Sequence, residues 1–139
     1  MIGSERARVV IVEDGCIALI KRVRGGRTYY LFPGGGIEEG ETAEQAAVRE
    51  AYEELGVHVR IGELLHEEEF AGARFLYFRA EIVGGEFGTG AWPDHADRDA
   101  LAREKSGTHE PVWLPLEQLR DVQIGLDVRP RELVDRLVP

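Results

Sequence analysis

The chain has 139 residues, and 26 acidic residues against 17 lysines and arginines give it a formal net charge of −9. This charge argues against broad electrostatic binding to duplex DNA or to an anionic membrane. Cys16 is the one cysteine, so no internal disulfide can form, which suits a reducing cytoplasm. The first residues lack the apolar run of a signal peptide, and no segment approaches the roughly 20 apolar residues of a membrane span. We therefore expect a single domain over residues 1–139, located in the cytoplasm.

The N-terminal part of the chain is predicted to form strands. Residues 8–12 and 17–23 are β-branched runs separated by Glu13-Asp14-Gly15, which predicts a hairpin. A turn with two arginines at residues 24–27 leads into a short strand at residues 29–32. These arginines are candidates to meet substrate phosphates, and the alternative is a solvated loop. Three consecutive glycines from residue 34 predict irregular backbone that approaches a neighbour closely.

A helix is predicted to follow the glycines. Thr42 is a good N-cap, Gln45 completes a capping box, and Gly56 is a natural stop, so the helix should run over residues 43–55. One face should be buried because apolar residues recur there at i, i+3, i+4 and i+7. Those residues are Val48, Ala51, Tyr52 and Leu55.

A second face of this helix carries Glu50, Glu53 and Glu54. Like charges at this spacing repel by roughly 0.2–0.5 kcal/mol per pair. Glu53 and Glu54 also lie in the last turn, where the helix dipole costs an anion roughly 0.3–1 kcal/mol. A hard divalent cation, which prefers oxygen ligands, would relieve both penalties. The alternative is a solvated acidic face.

The C-terminal half is predicted to add more strands and a closing helix. Residues 85–110 are polar and lack sustained periodicity, so they are a candidate substrate-facing lid or a disordered connection. The order of strands, helix, strands and helix predicts an α+β or mixed α/β sandwich. The predicted elements are strands at 57–61 and 64–70 with a bulge at Gly62, a strand at 75–83, a strand at 111–114, a short helix at 115–119 and an amphipathic helix at 129–137.

The segment at residues 35–57 resembles the Nudix box, G-x5-E-x7-R-E-U-x-E-E-x-G-U, where U is aliphatic. The preceding Phe32-Pro33-Gly34 is similar to the usual lead-in of that family. The resemblance implies an α/β/α sandwich with a mixed β-sheet between helices. The box positions are filled by Gly35, Glu41, Arg49, Glu50, Ala51, Glu53, Glu54, Gly56 and Val57.

The resemblance also implies a metal-dependent hydrolase that cleaves the pyrophosphate bond of a nucleoside diphosphate derivative. Mg²⁺, with Mn²⁺ as a substitute, would be held by Glu50, Glu53 and Glu54 and by the backbone carbonyl of Gly34 or Gly35.

In the same resemblance, Arg49 and Glu41 would hold the helix against the glycines, with Gly35 and Gly56 as structural support. The general base is left open among Glu53, Glu54 and two acids of the later loop, Glu110 and Glu104.

The leading substrate hypothesis is a nucleoside triphosphate, cleaved by water attack at phosphorus. The alternatives are a nucleotide sugar, a dinucleoside polyphosphate, the 5′ end of an RNA, or nucleotide binding without catalysis. The expected partner is a small-molecule nucleotide, with no duplex nucleic acid and no membrane, and a homodimer is left open. The aromatic candidates to stack a base are Tyr29, Phe75, Tyr77 and Trp92.

Overall fold

The computed structural model describes residues 4–90, 107–125 and 130–138. In chain order the elements are β1 (Ser4–Val10), β2 (Val12–Glu13), β3 (Cys16–Arg24), β4 (Arg27–Leu31), β5 (Gly34–Gly36), α1 (Ala43–Leu55), β6 (Val57–Phe70), β7 (Ala73–Gly85), β8 (Glu110–Pro115), a 3-10 helix (Leu116–Gln118) and α2 (Arg131–Leu137).

Among the described residues, the strands form two four-stranded sheets. The first has the order β5-β1-β7-β6, in which β1 runs parallel to β7 and the other pairs are antiparallel. The second is antiparallel, with the order β2-β3-β4 and with β8 on β3. The mixed sheet confirms the expected fold class.

Two hydrophobic cores lie on opposite sides of these sheets. The first joins α1 to both sheets and includes Val9 from β1, Ile20 from β3 and Leu55 from the helix. The second contains Leu133 and Val134 of α2. The sheets therefore lie between the two helices, as the sequence predicted. Within the described ranges, neither helix is long and apolar enough to cross a membrane.

The bounds and caps of α1 are confirmed. The Thr42 hydroxyl accepts from the Gln45 amide at 3.1 Å, and the Gln45 side chain accepts from the Thr42 amide at 2.9 Å. At the other end Gly56 adopts a φ of 81° and donates its amide to the Tyr52 carbonyl. Local sequence was sufficient for these predictions because both caps depend on neighbouring residues alone.

The predicted buried face of α1 is wrong at two of its four positions. Ala51 and Leu55 are buried, but Val48 is 36% exposed and Tyr52 is 52% exposed. Instead, the helix buries a face of mostly small side chains, because alanines let its backbone approach the strands closely. Tyr52 stacks outside on His58, with ring centroids 4.6 Å apart. The buried residues are Ala46, Ala47, Ala51, Glu54 and Leu55.

The predicted N-terminal hairpin is confirmed only for its last residues. Val12 pairs with Ile17 and Glu13 with Cys16, around a turn at Asp14 and Gly15. Both turn residues have positive φ, as a tight two-residue hairpin turn requires. Residues 8–10 belong instead to β1, which pairs with β5 and β7 in the other sheet. Pairing between distant segments therefore divides the apolar run between two sheets.

The hairpin of β6 and β7 is longer than predicted. Its register shifts between Ile61 and Leu64, which confirms an irregularity at Gly62. The turn lies at Ala71 and Gly72, which both have positive φ, so β7 begins at residue 73 rather than at the predicted residue 75. The strand at 111–114 and the closing helix are also confirmed. Most of the predicted loop lies outside the described residues, including its acid Glu104 and its aromatic candidate Trp92.

Candidate active site

The glycine segment β5 lies directly against the acidic residues of α1. Gly34 has a φ of 144°, and a Cβ there would collide with the Ala7 backbone. Its amide donates to the Glu54 carboxylate, with the nitrogen 2.9 Å from Oε2. A Cβ on Gly35 would lie 2.6 Å from Glu50 Oε1. Glycine at position 35 therefore leaves room for the Glu50 carboxylate, and glycine at position 34 lets β5 lie close to β1 while its amide binds Glu54.

Glu54 belongs to the buried face of α1 and is only 7% exposed. The pKa of Glu54 is raised to about 8, chiefly because the group is buried and in part because of the nearby charge of Glu50. The Gly34 amide and the positive charge of Arg8 act in the opposite direction. The carboxylate is therefore held in a place where its charge is poorly solvated.

The carboxylates of Glu50 and Glu53 are more exposed to solvent than the carboxylate of Glu54. Burial raises the pKa of Glu50, and its hydrogen bond to Arg49 opposes that shift. The Glu53 side chain is 40% exposed and lies 3.4 Å from Arg49 Nη1. We call Glu50, Glu53 and Glu54 the acidic ridge. It runs from the interior, at Glu54, to solvent, at Glu53.

Arg49 connects this ridge to the loop before the helix. Its Nε and Nη2 donate to the two oxygens of Glu41 at 2.9 and 3.0 Å, and Nη2 also donates to the Gly36 carbonyl at 3.1 Å. Nη1 donates to Glu50 at 3.0 Å. The hydrogen bonds from Arg49 hold the pKa of Glu41 at about 2, and those from Glu41 raise the pKa of Arg49. The predicted contact between Arg49 and Glu41 is thus present as a two-point hydrogen bond.

The donor chemistry of the ridge fits a hard divalent cation. Carboxylate oxygens are the ligands that Mg²⁺ prefers, and two of these carboxylates have raised pKa values that a nearby cation would lower. Among the described residues, no three His, Cys, Asp or Glu side chains lie close enough to form a ready-made metal site. Glu50 and Glu53 contact Arg49 instead, and Glu54 contacts Gly34. Binding would therefore require the first two side chains to turn, with water and substrate completing the coordination.

A family model described as "NUDIX domain" matches residues 3–137 of the chain. The chain belongs to the NUDIX family. MutT4 of Mycobacterium tuberculosis is 58% identical over 164 aligned positions, which cover 97% of this chain and 60% of that protein. A MutT-like protein of Streptomyces ambofaciens is 40% identical over 81 residues, 57% of this chain and 51% of that protein. The chain thus spans between about half and 60% of the lengths of these two relatives.

Solved structures share the NUDIX fold. A MutT structure from work on Aliivibrio salmonicida and Vibrio cholerae has a TM-score of 0.70 at 20% identity and covers 99% of this chain and 98% of that one. An ADP-ribose pyrophosphatase of Streptococcus suis also has a TM-score of 0.70, at 15% identity, and covers 97% and 89%. At these identities the similarity concerns the fold.

Arg8 is a residue of this NUDIX site that the sequence analysis missed. Its Nη1 donates to the carbonyls of Phe32 and Gly34, each at 3.1 Å. Burial lowers the pKa of Arg8, and the charge of Glu54 opposes that shift. The signal in the sequence was a charged residue inside an apolar strand, between two residues that prove fully buried. Arg8 holds the glycine segment from the side opposite the ridge.

A pocket of about 340 Å³ lies beside Arg8. Two of the aromatic candidates from the sequence, Phe75 and Tyr77, line it, whereas Tyr29 is buried elsewhere in the NUDIX fold. We call this cavity the aromatic pocket. The described residues that line it are Arg6, Arg8, Leu31, Phe32, Phe70, Ala71, Ala73, Phe75, Tyr77, Ile124, Gly125 and Pro130.

The structure does not place Glu110, Arg24 or Arg27 next to the acidic ridge. Glu110 pairs with Lys21, and its neighbours at alternate positions on β8, Val112 and Leu114, face the second core. Glu110 is therefore on the face of the sheet opposite α1. Arg24 and Arg27 are opposite each other at the exposed end of the β3–β4 hairpin, and neither is among the described residues lining the aromatic pocket.

Proposed function

We propose that this chain is a Mg²⁺-dependent pyrophosphohydrolase. It cleaves a phosphoanhydride bond of a nucleoside triphosphate, or of a related nucleoside diphosphate derivative, by water attack at phosphorus. The observation that carries the proposal is the approach of Gly34 and Gly35 to Glu54 and Glu50 of the acidic ridge. A ridge that served only as a solvated face would not need glycine backbone against two of its carboxylates.

In the proposed site Glu50, Glu53 and Glu54 hold the ion. When bound, Mg²⁺ would polarise the phosphoryl group and neutralise charge on the leaving phosphate. Arg49 and Glu41 position the ridge against the glycine segment and do not contact the reacting atoms.

A backbone carbonyl is the proposed fourth ligand. The Gly34 carbonyl accepts from Arg8, but a carbonyl oxygen has two lone pairs and can face a cation as well. The Gly35 carbonyl is the alternative. With either carbonyl, the glycine segment would be part of the metal site, which agrees with its close contact with the acidic ridge.

Glu53 is the proposed general base. It is the most solvent-accessible carboxylate of the ridge, so a water molecule can reach it in addition to the ion. Glu54 is too enclosed to serve as easily, and among the described residues Glu110 makes no hydrogen bond or ion pair with the ridge. Replacing Glu53 with Gln should reduce turnover by roughly 10²–10⁴-fold while the circular dichroism spectrum stays unchanged. Near-normal turnover would remove Glu53 from the mechanism.

Substrate choice is tested by a nucleotide panel with Mg²⁺ and a readout that separates orthophosphate from pyrophosphate. A nucleoside triphosphate converted to monophosphate and pyrophosphate supports the leading hypothesis. A 5′-triphosphorylated RNA belongs in the panel because a Pseudoalteromonas atlantica RNA pyrophosphohydrolase is 56% identical over 67 residues, 44% of this chain and 38% of that protein. ADP-ribose, a nucleotide sugar and a dinucleoside polyphosphate complete it. Binding without turnover of any compound would favour a nucleotide-binding module.

The expected single domain, the cytoplasmic location and the homodimer remain predictions. Light scattering during size-exclusion chromatography measures the oligomeric state directly.

A further inference from the structure

Arg8 uses only part of its hydrogen-bonding capacity on the protein. A guanidinium has five N–H donors, and the two on Nη1 are taken by the Phe32 and Gly34 carbonyls. Within the described ranges Nε and Nη2 make no hydrogen bond, and neither is a buried atom without a partner. Three donors of Arg8 are therefore without a partner among the described residues, and Arg8 lines the aromatic pocket.

Most polar side-chain groups that line the aromatic pocket are hydrogen-bond donors. Arg6 and Arg8 are two residues apart on β1 and both line the pocket, and the Arg8 guanidinium carbon is 5.9 Å from the Phe75 ring centroid. The described lining contains no Asp, Glu, Asn or Gln. The Tyr77 hydroxyl is its other polar side-chain group and can either donate or accept. An acceptor on a ligand is therefore easily paired in this pocket, whereas an amino group would find few side-chain acceptors among the described lining residues.

The pocket also adjoins the place where the diphosphate would bind. Phe32 lines the pocket, and its carbonyl and that of Gly34 are held by the same nitrogen of Arg8. On its other side Gly34 donates its amide to Glu54 of the acidic ridge. A nucleotide whose phosphates lie at the ridge can thus place its base between the aromatic side chains of the pocket.

We propose that Arg8 is a specificity-determining residue that reads an oxo group on the substrate's base, so that keto bases are favoured over amino bases. The inference rests on the proposed function and names the substrate class more narrowly. Guanidinium donors pair well with the oxo group of hypoxanthine or uracil, which carry no exocyclic amino group. The exocyclic amino group of adenine or cytosine would be desolvated against donors and left unpaired, which penalises binding.

The first test compares triphosphates that differ chiefly in this group. Inosine triphosphate is measured against adenosine triphosphate, and uridine triphosphate against cytidine triphosphate, as kcat/KM with Mg²⁺. We expect the keto member of each pair to be favoured by about fivefold or more, the lower end of what one good side-chain pairing with a base edge gives. Equal values within both pairs, or a preference for the amino members, would overturn the proposal.

The second test is Arg8→Met, which keeps the length of the aliphatic stem and removes all the donors. The inosine-to-adenosine ratio should fall toward one, with most of the loss in the inosine reaction. Loss of the Gly34 contact lowers both reactions together and leaves the ratio unchanged, so the ratio isolates base reading. Arg60→Met is the matched control, because Arg60 is exposed on β6 and contacts Glu81 rather than the pocket. If Arg8→Met does not fold, Arg8→Lys, which lacks the second donor edge, should also lower the ratio.

Failure of the proposed function gives a different result. If no triphosphate is hydrolysed, calorimetry with inosine and adenosine monophosphates still tests the pocket. Tighter binding of the inosine compound, lost in Arg8→Met, would support base reading in a protein that is not a hydrolase. Turnover of triphosphates without a keto preference would instead overturn base reading and leave the proposed function intact.

Discussion

Glu54 lies in the last turn of α1, and its carboxylate is enclosed with the buried alanines of the helix rather than dissolved in water. Its hydrogen bond to the Gly34 amide compensates only part of the lost hydration, since burial still raises its pKa to about 8. The chain keeps a carboxylate at a position where a neutral side chain would be more stable. Such a cost is typical of a functional group.

The unfavourable burial of the Glu54 carboxylate predicts how the free energy of unfolding of the metal-free protein depends on pH. Because the carboxyl group ionises near 4.5 when unfolded and near 8 when folded, the free energy of unfolding should fall as pH rises between these values. Glu54→Gln should remove this loss and, in a chelator, raise the free energy of unfolding by on the order of 1–3 kcal/mol at the upper end of the range. Urea unfolding at several pH values measures it. Glu53→Gln, at an exposed carboxylate, is the control and should change stability by less than about 0.5 kcal/mol. A Glu54→Gln protein less stable than wild type throughout would contradict the expectation.

The glycine segment allows a comparison between adjacent residues. Alanine at Gly35 would place a methyl group 2.6 Å from Glu50 Oε1 and push this carboxylate aside, whereas a Cβ at Gly36 meets nothing within 4 Å. Gly35→Ala should therefore raise the Mg²⁺ concentration needed for turnover by roughly 10- to 100-fold, the usual range for displaced support of a metal ligand. Gly36→Ala should behave as wild type. Magnesium titrations of initial rate measure both, and equal behaviour of the two variants would argue against Glu50 as a ligand.

At the scale of elements, the candidate site depends on the position of β5 against α1. The glycine segment has no side chains, so its position depends on backbone pairing with β1 and on contacts that reach it from other elements. Arg49 supplies one such contact at Gly36, and Arg8 supplies another at Gly34. These two arginines hold the glycine segment from different sides and so fix its position next to the acidic ridge.

This relation predicts that Arg49→Lys is damaging although the charge is kept. A lysine cannot donate to both oxygens of Glu41 and also reach Gly36 and Glu50. We expect kcat/KM to fall by about 10- to 100-fold and Mg²⁺ affinity to weaken, with little change in helix content. Glu41→Gln should produce a similar loss, and the double variant should lose less than the sum, because both disrupt one contact. Arg60→Lys, at an exposed ion pair, is the control. Additive losses would show that Arg49 and Glu41 act separately.

At the scale of the molecule, two cores on opposite faces of the sheets are joined through the same strands. β3 contributes Ala18 and Ile20 to the core with α1, and Ile17 and Leu19 to the core with α2. Because alternate residues of one strand serve both cores, damage to one should be transmitted to the other. This is the physical basis for proposing that the chain unfolds as one domain.

Leu133→Ala tests this coupling. Leu133 is fully buried in the core of α2, so its truncation should lower the free energy of unfolding by about 2–5 kcal/mol. Trp113 packs against the other core, and its fluorescence, measured in a Trp92→Phe background, should nevertheless change in the same transition as the far-ultraviolet circular dichroism. Leu64→Ala, at an exposed position, should have a much smaller effect. Separate transitions for the two probes would show that the cores unfold independently.

The sequence by itself determined those features whose causes are local. The caps of α1 depend on Thr42, Gln45 and Gly56, and the acidic ridge depends on the helical spacing of three glutamates. The match to the box therefore identified the family and the candidate site before any tertiary contact was known.

Only the tertiary structure decided which side of each element is buried. It placed Tyr52 outside and Glu54 inside, separated β1 from the predicted hairpin, and set Arg8 between the glycine segment and the aromatic pocket. It also put Glu110 on the face of the sheet away from α1. The physical reason is that burial and strand pairing depend on residues far apart in the chain, whereas caps and helical spacing depend on neighbours.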